Sequence, residues 1–230
     1  MARQASETGA SRERLSRERV VAVALAIVDR DGLEQLTMRS LGRELGVDSM
    51  AAYHWFPNKL AILQGVGEAI LAEIQPPSPD PGVPWQTTAR ALAREYRAAL
   101  LRHSNALPVA ATQPVMTPRG LSLIERTAAA LVAGGLAPAA AIEAINTAAS
   151  LVIGSAMVDG GVTPGTEPVD QQAIHAVYAD LDPVAFPTIS AAMAVTIADL
   201  DVPEGQFETA LDALVRGLEA SFADRGLLRT

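Results

Sequence analysis

Apolar residues recur at helical spacing along most of the chain, and no stretch alternates with the period of a strand. The pattern therefore predicts an all-α protein. Val21, Ala24, Leu25 and Val28 share a stripe that opens after Ser16, an N-cap residue type, and stops at Asp31-Gly32. Leu60, Leu63, Val66, Ile70 and Ile74 mark a helix capped by Asn58. Residues 75–84 hold five prolines, which end that helix and set it apart from the longer second half of the chain. Beyond them, Ala89, Leu92, Tyr96 and Leu100 trace a helix from Trp85 to about residues 103–105. A short broken segment covers residues 107–116. Leu121, Ile124, Ala128 and Leu131 predict a helix over residues 121–132 that stops at Gly134-Gly135. Pro138 opens a long Ala-rich helix to about Val158, apolar nearly all round. Residues 159–169 read as a loop, and residues 170–180 and 187–197 as weaker helices. A strong final helix over residues 202–223 carries the stripe Phe207, Leu211, Leu214, Leu218 and Phe222.

The stretch TMRSLGRELGVDSMAAYHWFPNK, residues 37–59, stands apart from these packing helices. Thr37 suits an N-cap, with Leu36 and Leu41 at the two positions of a hydrophobic staple. Gly46 falls where a helix end requires a left-handed backbone, Val47 plugs the corner, and Asp48 caps the next helix, residues 49–56. This is the grammar of a helix-turn-helix. The second helix is short and presents Tyr53, His54 and Trp55 in a row, a surface that a purely structural helix rarely needs.

Composition narrows the class. A chain of 230 residues that is 49% hydrophobic but only 4% aromatic fits one large or two modest helical domains. The absence of cysteine excludes a disulfide framework and a thiolate nucleophile. The polar opening residues lack the apolar run of a secretory leader, and the longest uncharged apolar run, residues 127–142, is too short to span a membrane. A cytoplasmic protein without a membrane partner is the expectation. The formal charge of −8 argues against a nucleic-acid partner until its distribution is considered. Residues 1–60 carry nine basic and eight acidic side chains, +1, which leaves −9 for the rest. An acidic remainder would repel DNA and orient the molecule on it.

With these residues in view, the chain resembles the TetR family of one-component transcriptional regulators. The resemblance rests on the helix ending at Asp31-Gly32, the LTMRSLGRELGV run, Tyr53, and the FPNK step of residues 56–59. The second half is similar to the tetracycline-repressor subgroup: Trp85-Gln86, Tyr96-Arg97, the Ala99-Leu100-Leu101 run, His103, Gly135 and Gly154 stand in the same order. The resemblance implies an N-terminal three-helix helix-turn-helix DNA-binding domain and a larger C-terminal helical ligand-binding and dimerisation domain. Accordingly, residues 1–15 are expected to form a flexible arm, with Arg3, Arg12 and Arg14 able to touch phosphate. Residues 16–75 would form the DNA-binding domain with its connecting helix, residues 76–84 the linker, and residues 85–230 the second domain. Such family members are homodimers that bind palindromic operators and release them when a small molecule fills the C-terminal domain. Where tetracycline repressors hold the drug and its magnesium, this chain offers Gln75, Leu92 and Ala110, with Gln113 and Thr127 nearby. Without an imidazole at either metal-facing position, a less polar organic effector fits better than a metal-chelated tetracycline. No metal or other cofactor is expected.

Roles derive from how a helix-turn-helix docks, with the second helix in the major groove and the first on the backbone. Arg39 can reach a phosphate or a guanine, and Thr37 can bond the backbone. Ser49, Met50 and Ala51 would face bases, while Tyr53, His54 and Lys59 suit phosphate. Tyr53 or Trp55 could instead close the small domain's core, and His54 could be an idle surface residue. Leu92, Tyr96, Ala110, Gln113, Met116, Thr127, Asn146 and Ser150 are expected to line an effector pocket. Asn146 and Ser150 are the most telling, because polar groups buried on an apolar helix need partners. The helices at residues 138–158 and 202–223 carry more apolar surface than one core needs and are expected to pair two chains. An enzyme or small-molecule carrier without DNA binding is the alternative. Its chemistry is thin: His54, His103 and His175 are scattered, the common catalytic motifs are absent, and Asp180 and Asp182 read as solvated loop carboxylates. Repressor and activator are not separable at this level.

Overall fold

The computed structural model describes residues 15–48, 50, 53–113, 116–160, 176–196 and 202–229. The arm with Arg3, Arg12 and Arg14, the reading residues Ser49 and Ala51, and the stretch 161–175 with His175 lie outside the described residues. Among those described, regular structure is helical, and the single β-bridge, Leu136 with Leu228, belongs to no strand.

Helix α1 (Arg17–Asp31) starts where Ser16 accepts the Arg19 N–H at 3.2 Å and ends at Gly32, φ +88°. A 3-10 turn leads to α2 (Met38–Leu45). Here Thr37 Oγ1 accepts the Ser40 N–H at 3.0 Å, and Ser40 Oγ accepts the Thr37 N–H at 2.9 Å. Leu36 and Leu41, the staple pair, are both fully buried. Gly46 closes α2 at φ +67°, a conformation that disfavours any side chain. After the reading segment, α3 (Lys59–Ala72) begins at Asn58, whose side chain accepts the Ala61 N–H at 2.9 Å. Phe56 wedges between α1 and α3. Its ring and the Val21 side chain crowd the space a Cβ on Gly65 would need, and Arg17 lies 5.2 Å above it.

The second half contains α4 (Trp85–Arg102), α5 (Leu107–Thr112), α6 (Pro118–Ala133), α7 (Pro138–Asp159), α8 (Pro187–Thr196) and α9 (Val202–Asp224). Helix α6 starts three residues earlier than the apolar pattern predicts, because Thr117 caps it by accepting the Gly120 N–H. Two stripe residues are misassigned. Leu60 and Leu121 are exposed, and Ile62 and Leu123 take the buried positions. On α9, Val215 is buried while Leu214 and Leu218 are only half-buried. The start of α4 is set by main chain: the Trp85 N–H donates to Gly134 O at 3.0 Å, and the indole is buried 6.0 Å from the Phe222 ring. A Cβ on Gly134 would come within 2.6 Å of Trp85 N.

One apolar core runs without a break from Val20 on α1 to Phe222 on α9. Helix α7 sits centrally, against α4, α5, α6 and α9. At 22 residues, with a window of mean hydropathy 1.5 inside it, it is long and apolar enough to cross a membrane by length and composition alone. The apolar run at residues 127–142 conceals this because Glu143 interrupts it. Only 22% of that helix's apolar window is buried within the chain, and Ile142, Met157 and Val158 are exposed. On α9, Ala213, Gly217 and Ala220 form an exposed stripe of small residues.

Candidate DNA-reading surface and effector cavity

Asp48 caps the reading segment, its carboxylate accepting the Met50 N–H at 2.8 Å. Met50 is 70% exposed and Tyr53 42% exposed. His54 meets the Trp55 ring edge-on at 5.4 Å, and both are exposed. Phe56, not Tyr53 or Trp55, closes the small core, so the aromatic row is a surface. On α2, Thr37 and Arg39 are exposed, and Arg39 makes no ion pair among the described residues. Lys59 is exposed as well. Its ammonium reaches the Leu33 carbonyl at 3.4 Å, a long contact that leaves two of its protons to solvent or a phosphate. Thr37, Arg39, Met50, Tyr53, His54 and Lys59 are thus all available to an external partner.

The second feature is a cavity of about 370 Å³ between α3, α4, α5, α6 and α7. Its wall is mainly aliphatic, and Tyr96, Gln113, Thr127 and Asn146 supply the polar side chains. Leu92, Ala110 and Met116 complete the expected residues found there. Ser150 does not belong to it: the side chain is exposed and its hydroxyl donates to Asn146 O at 3.0 Å, one turn back. Asn146 lines the cavity but is itself exposed, so neither residue is the buried polar group anticipated. Gln75 also stays outside. Its side chain bonds the Ala72 carbonyl and its N–H the Glu95 carboxylate. Burial pushes the Tyr96 phenol up to about 12, so it stands in the cavity as a neutral donor. The contribution of α3, through Gly67, Ile70, Leu71 and nearby Ile74, was missed. Gly67, within the apolar stripe of that helix, was its available signal.

Asp180 and Asp182, the carboxylates of the enzyme alternative, lie on the surface, where Asp182 caps a turn by accepting the Val184 N–H. Among the described residues, no group of three or more His, Asp or Glu side chains could hold a metal ion.

Comparison with known proteins bears on both features. Residues 78–222 match the family profile described as tetracyclin repressor-like, C-terminal domain. An HTH-type transcriptional regulator of Saccharopolyspora erythraea is 32% identical over 141 residues, 61% of this chain and 59% of that protein, so the matched chain spans less than two thirds of its length. The class G tetracycline repressor of Vibrio anguillarum is 28% identical over 217 residues, covering 90% of this chain and 94% of the relative. Among solved structures, the Streptomyces coelicolor TetR family protein ActR in complex with actinorhodin superposes with a TM-score of 0.76. It is 29% identical and covers 90% of this chain and 98% of its own.

Proposed function

The chain belongs to the TetR family of transcriptional regulators, and from that premise we propose that it is a ligand-responsive repressor that binds a palindromic operator as a homodimer and is released by a small organic effector. The observation that carries this reading is the placement of α3. Its first turn comes directly after the reading segment, and its later turns, through Gly67, Ile70 and Leu71, form one wall of the cavity. A molecule that fills the cavity presses on the element that positions the DNA-reading surface.

Two reading segments must sit about one DNA turn apart, roughly 34–36 Å, to engage both half-sites. An effector that favours any other spacing weakens operator binding by the same coupling free energy with which DNA weakens effector binding. Arg39 and Thr37 would contact backbone and base from α2. Ser49, Met50 and Ala51 would face bases, and Tyr53, His54 and Lys59 would contact phosphates. The exposed apolar flank of α7 and the small-residue face of α9 supply the surface for a second copy. The aliphatic wall with a few polar groups suits an organic molecule of low polarity, and ActR, a protein of similar fold, is solved in complex with the small molecule actinorhodin.

The test is selection of duplexes from a randomised library by the full-length chain, with gel shifts on the duplexes it enriches. Enrichment of an inverted repeat whose binding drops for Arg39→Ala supports the reading. Enrichment of no duplex at low salt overturns it.

A further inference from the structure

Helices α1, α3 and α4 converge on one imidazole, and α3 and α4 are also walls of the cavity. His103 ends α4 and opens the 3-10 turn that leads into α5. Its Nδ1 lies 2.9 Å from Asp29 Oδ2, near the end of α1, and its Nε2 lies 2.7 Å from Glu73 Oε1, at the end of α3. The same turn sends the Asn105 amide to the Asp29 main-chain carbonyl at 2.9 Å. Cavity residues stand close to these contacts in the chain: Leu100 on α4, Ile70 on α3, and Ala110 on α5.

A carboxylate oxygen only accepts, so each ring nitrogen must donate, and only the protonated imidazolium donates from both. Burial works against that charge, but the hydrogen bonds to Glu73 and Asp29 outweigh it and raise the imidazole above its ordinary value. Burial likewise pushes the Glu73 carboxyl up, while bonds from Arg102 and His103 more than offset it and hold the carboxyl below its ordinary value. The charged groups facing the ring are Asp29 from α1, Glu73 from α3, and Arg102 from α4 on the far side of Glu73.

We propose that, in a DNA-binding regulator of the kind inferred from α3 and the cavity, on which this step rests, His103 is a positioning residue for operator binding. It is an imidazolium clamp that fixes the ends of α1 and α3 against the α4–α5 turn. Loss of the proton removes the ring's bond to one of the two carboxylates and frees the DNA-reading unit to move against the cavity. A unit held in place loses less freedom on docking to DNA, so the clamped, protonated state binds the operator more tightly. The raised value sets the direction: the contribution is complete below the ordinary histidine range and is lost as pH rises through the folded value.

The experiment uses the full-length chain and a duplex selected by it, with His175→Gln present throughout and His54→Gln compared alongside, so that a step belonging to His54 is recognised by its loss in that variant. Affinity is expected to fall roughly fivefold or more, the lower bound of ordinary coupling between sites, as pH rises through the His103 step. His103→Gln, able to donate to one carboxylate, is expected to bind weakly at every pH without that step. His103→Arg keeps its charge and two donors, and it should restore affinity without the step. Nitrogen NMR of the free protein should show both ring nitrogens protonated below the step and one of them deprotonated above it. A step that survives in His103→Gln, or a ring already neutral below the step, overturns the clamp. Should His103→Gln fail to fold, Glu73→Gln is expected to lower the midpoint of the step, and an unmoved midpoint counts equally against it. A chain that enriches no duplex at all overturns the regulator reading instead, and the ring spectrum still decides the protonation state.

Discussion

The Arg97 guanidinium meets the Asp159 carboxylate at 2.6 Å, with side chains only 11% and 16% exposed, and so joins the middle of α4 to the last residue of α7. Ser155 donates to the same carboxylate oxygen at 3.1 Å, and the guanidinium lies 4.9 Å above the Phe207 ring of α9. Removing the carboxylate leaves a largely desolvated cation without its partner. Asp159→Ala is expected to cost about 3 kcal/mol, the low end for breaking a buried pair, measured by urea unfolding of the whole chain.

Gly134 is required by close approach rather than by its own dihedrals. Its added Cβ would lie 2.6 Å from Trp85 N and 2.7 Å from Val83 O, both main-chain atoms that cannot step aside. Gly134→Ala should therefore lower the melting temperature, whereas at an open helical site the same change stabilises by about 1 kcal/mol. A melting temperature at or above wild type would show that the contact relaxes freely.

Alkaline titration isolates Tyr96. Because its folded value is raised to about 12, the stability it contributes is complete below the ordinary phenol range and is lost as pH climbs toward that value. Phenolate absorbance should show a late step near pH 12 that disappears in Tyr96→Phe.

Lys59 carries a prediction about salt. If its ammonium neutralises one phosphate, Lys59→Ala weakens all DNA sequences alike and reduces the slope of log affinity against log salt by about one. A loss confined to one base pair would reassign Lys59 to base reading.

Most of this architecture is legible in the residues because its signals are local. Ser16, Thr37, Asn58 and Gly46 each act within one turn of themselves, and each caps as its type predicts. The phase of a stripe is less secure. A helix with neighbours on two sides, such as α3, buries Ile62 and leaves Leu60 exposed, although both fit the period. Tertiary partners far apart in the chain leave no local trace. Arg94 with Glu208, Arg90 with Asp212 and the two carboxylates of His103 join residues from 30 to 122 positions apart. Around the cavity, resemblance and inward stripes located Leu92, Tyr96, Ala110 and Thr127. Ser150 failed because a hydroxyl on an apolar helix can bond its own preceding turn and face outward.

The seat of Trp85 on Gly134 separates two properties that a linker usually ties together. Because α4 is anchored by main chain from α6 and by the Phe222 ring, its first residue does not depend on the chain that delivers it. The proline-rich connection upstream of Val83 can therefore change in length and composition, while the main-chain seat on Gly134 keeps α4 and its face of the cavity in register.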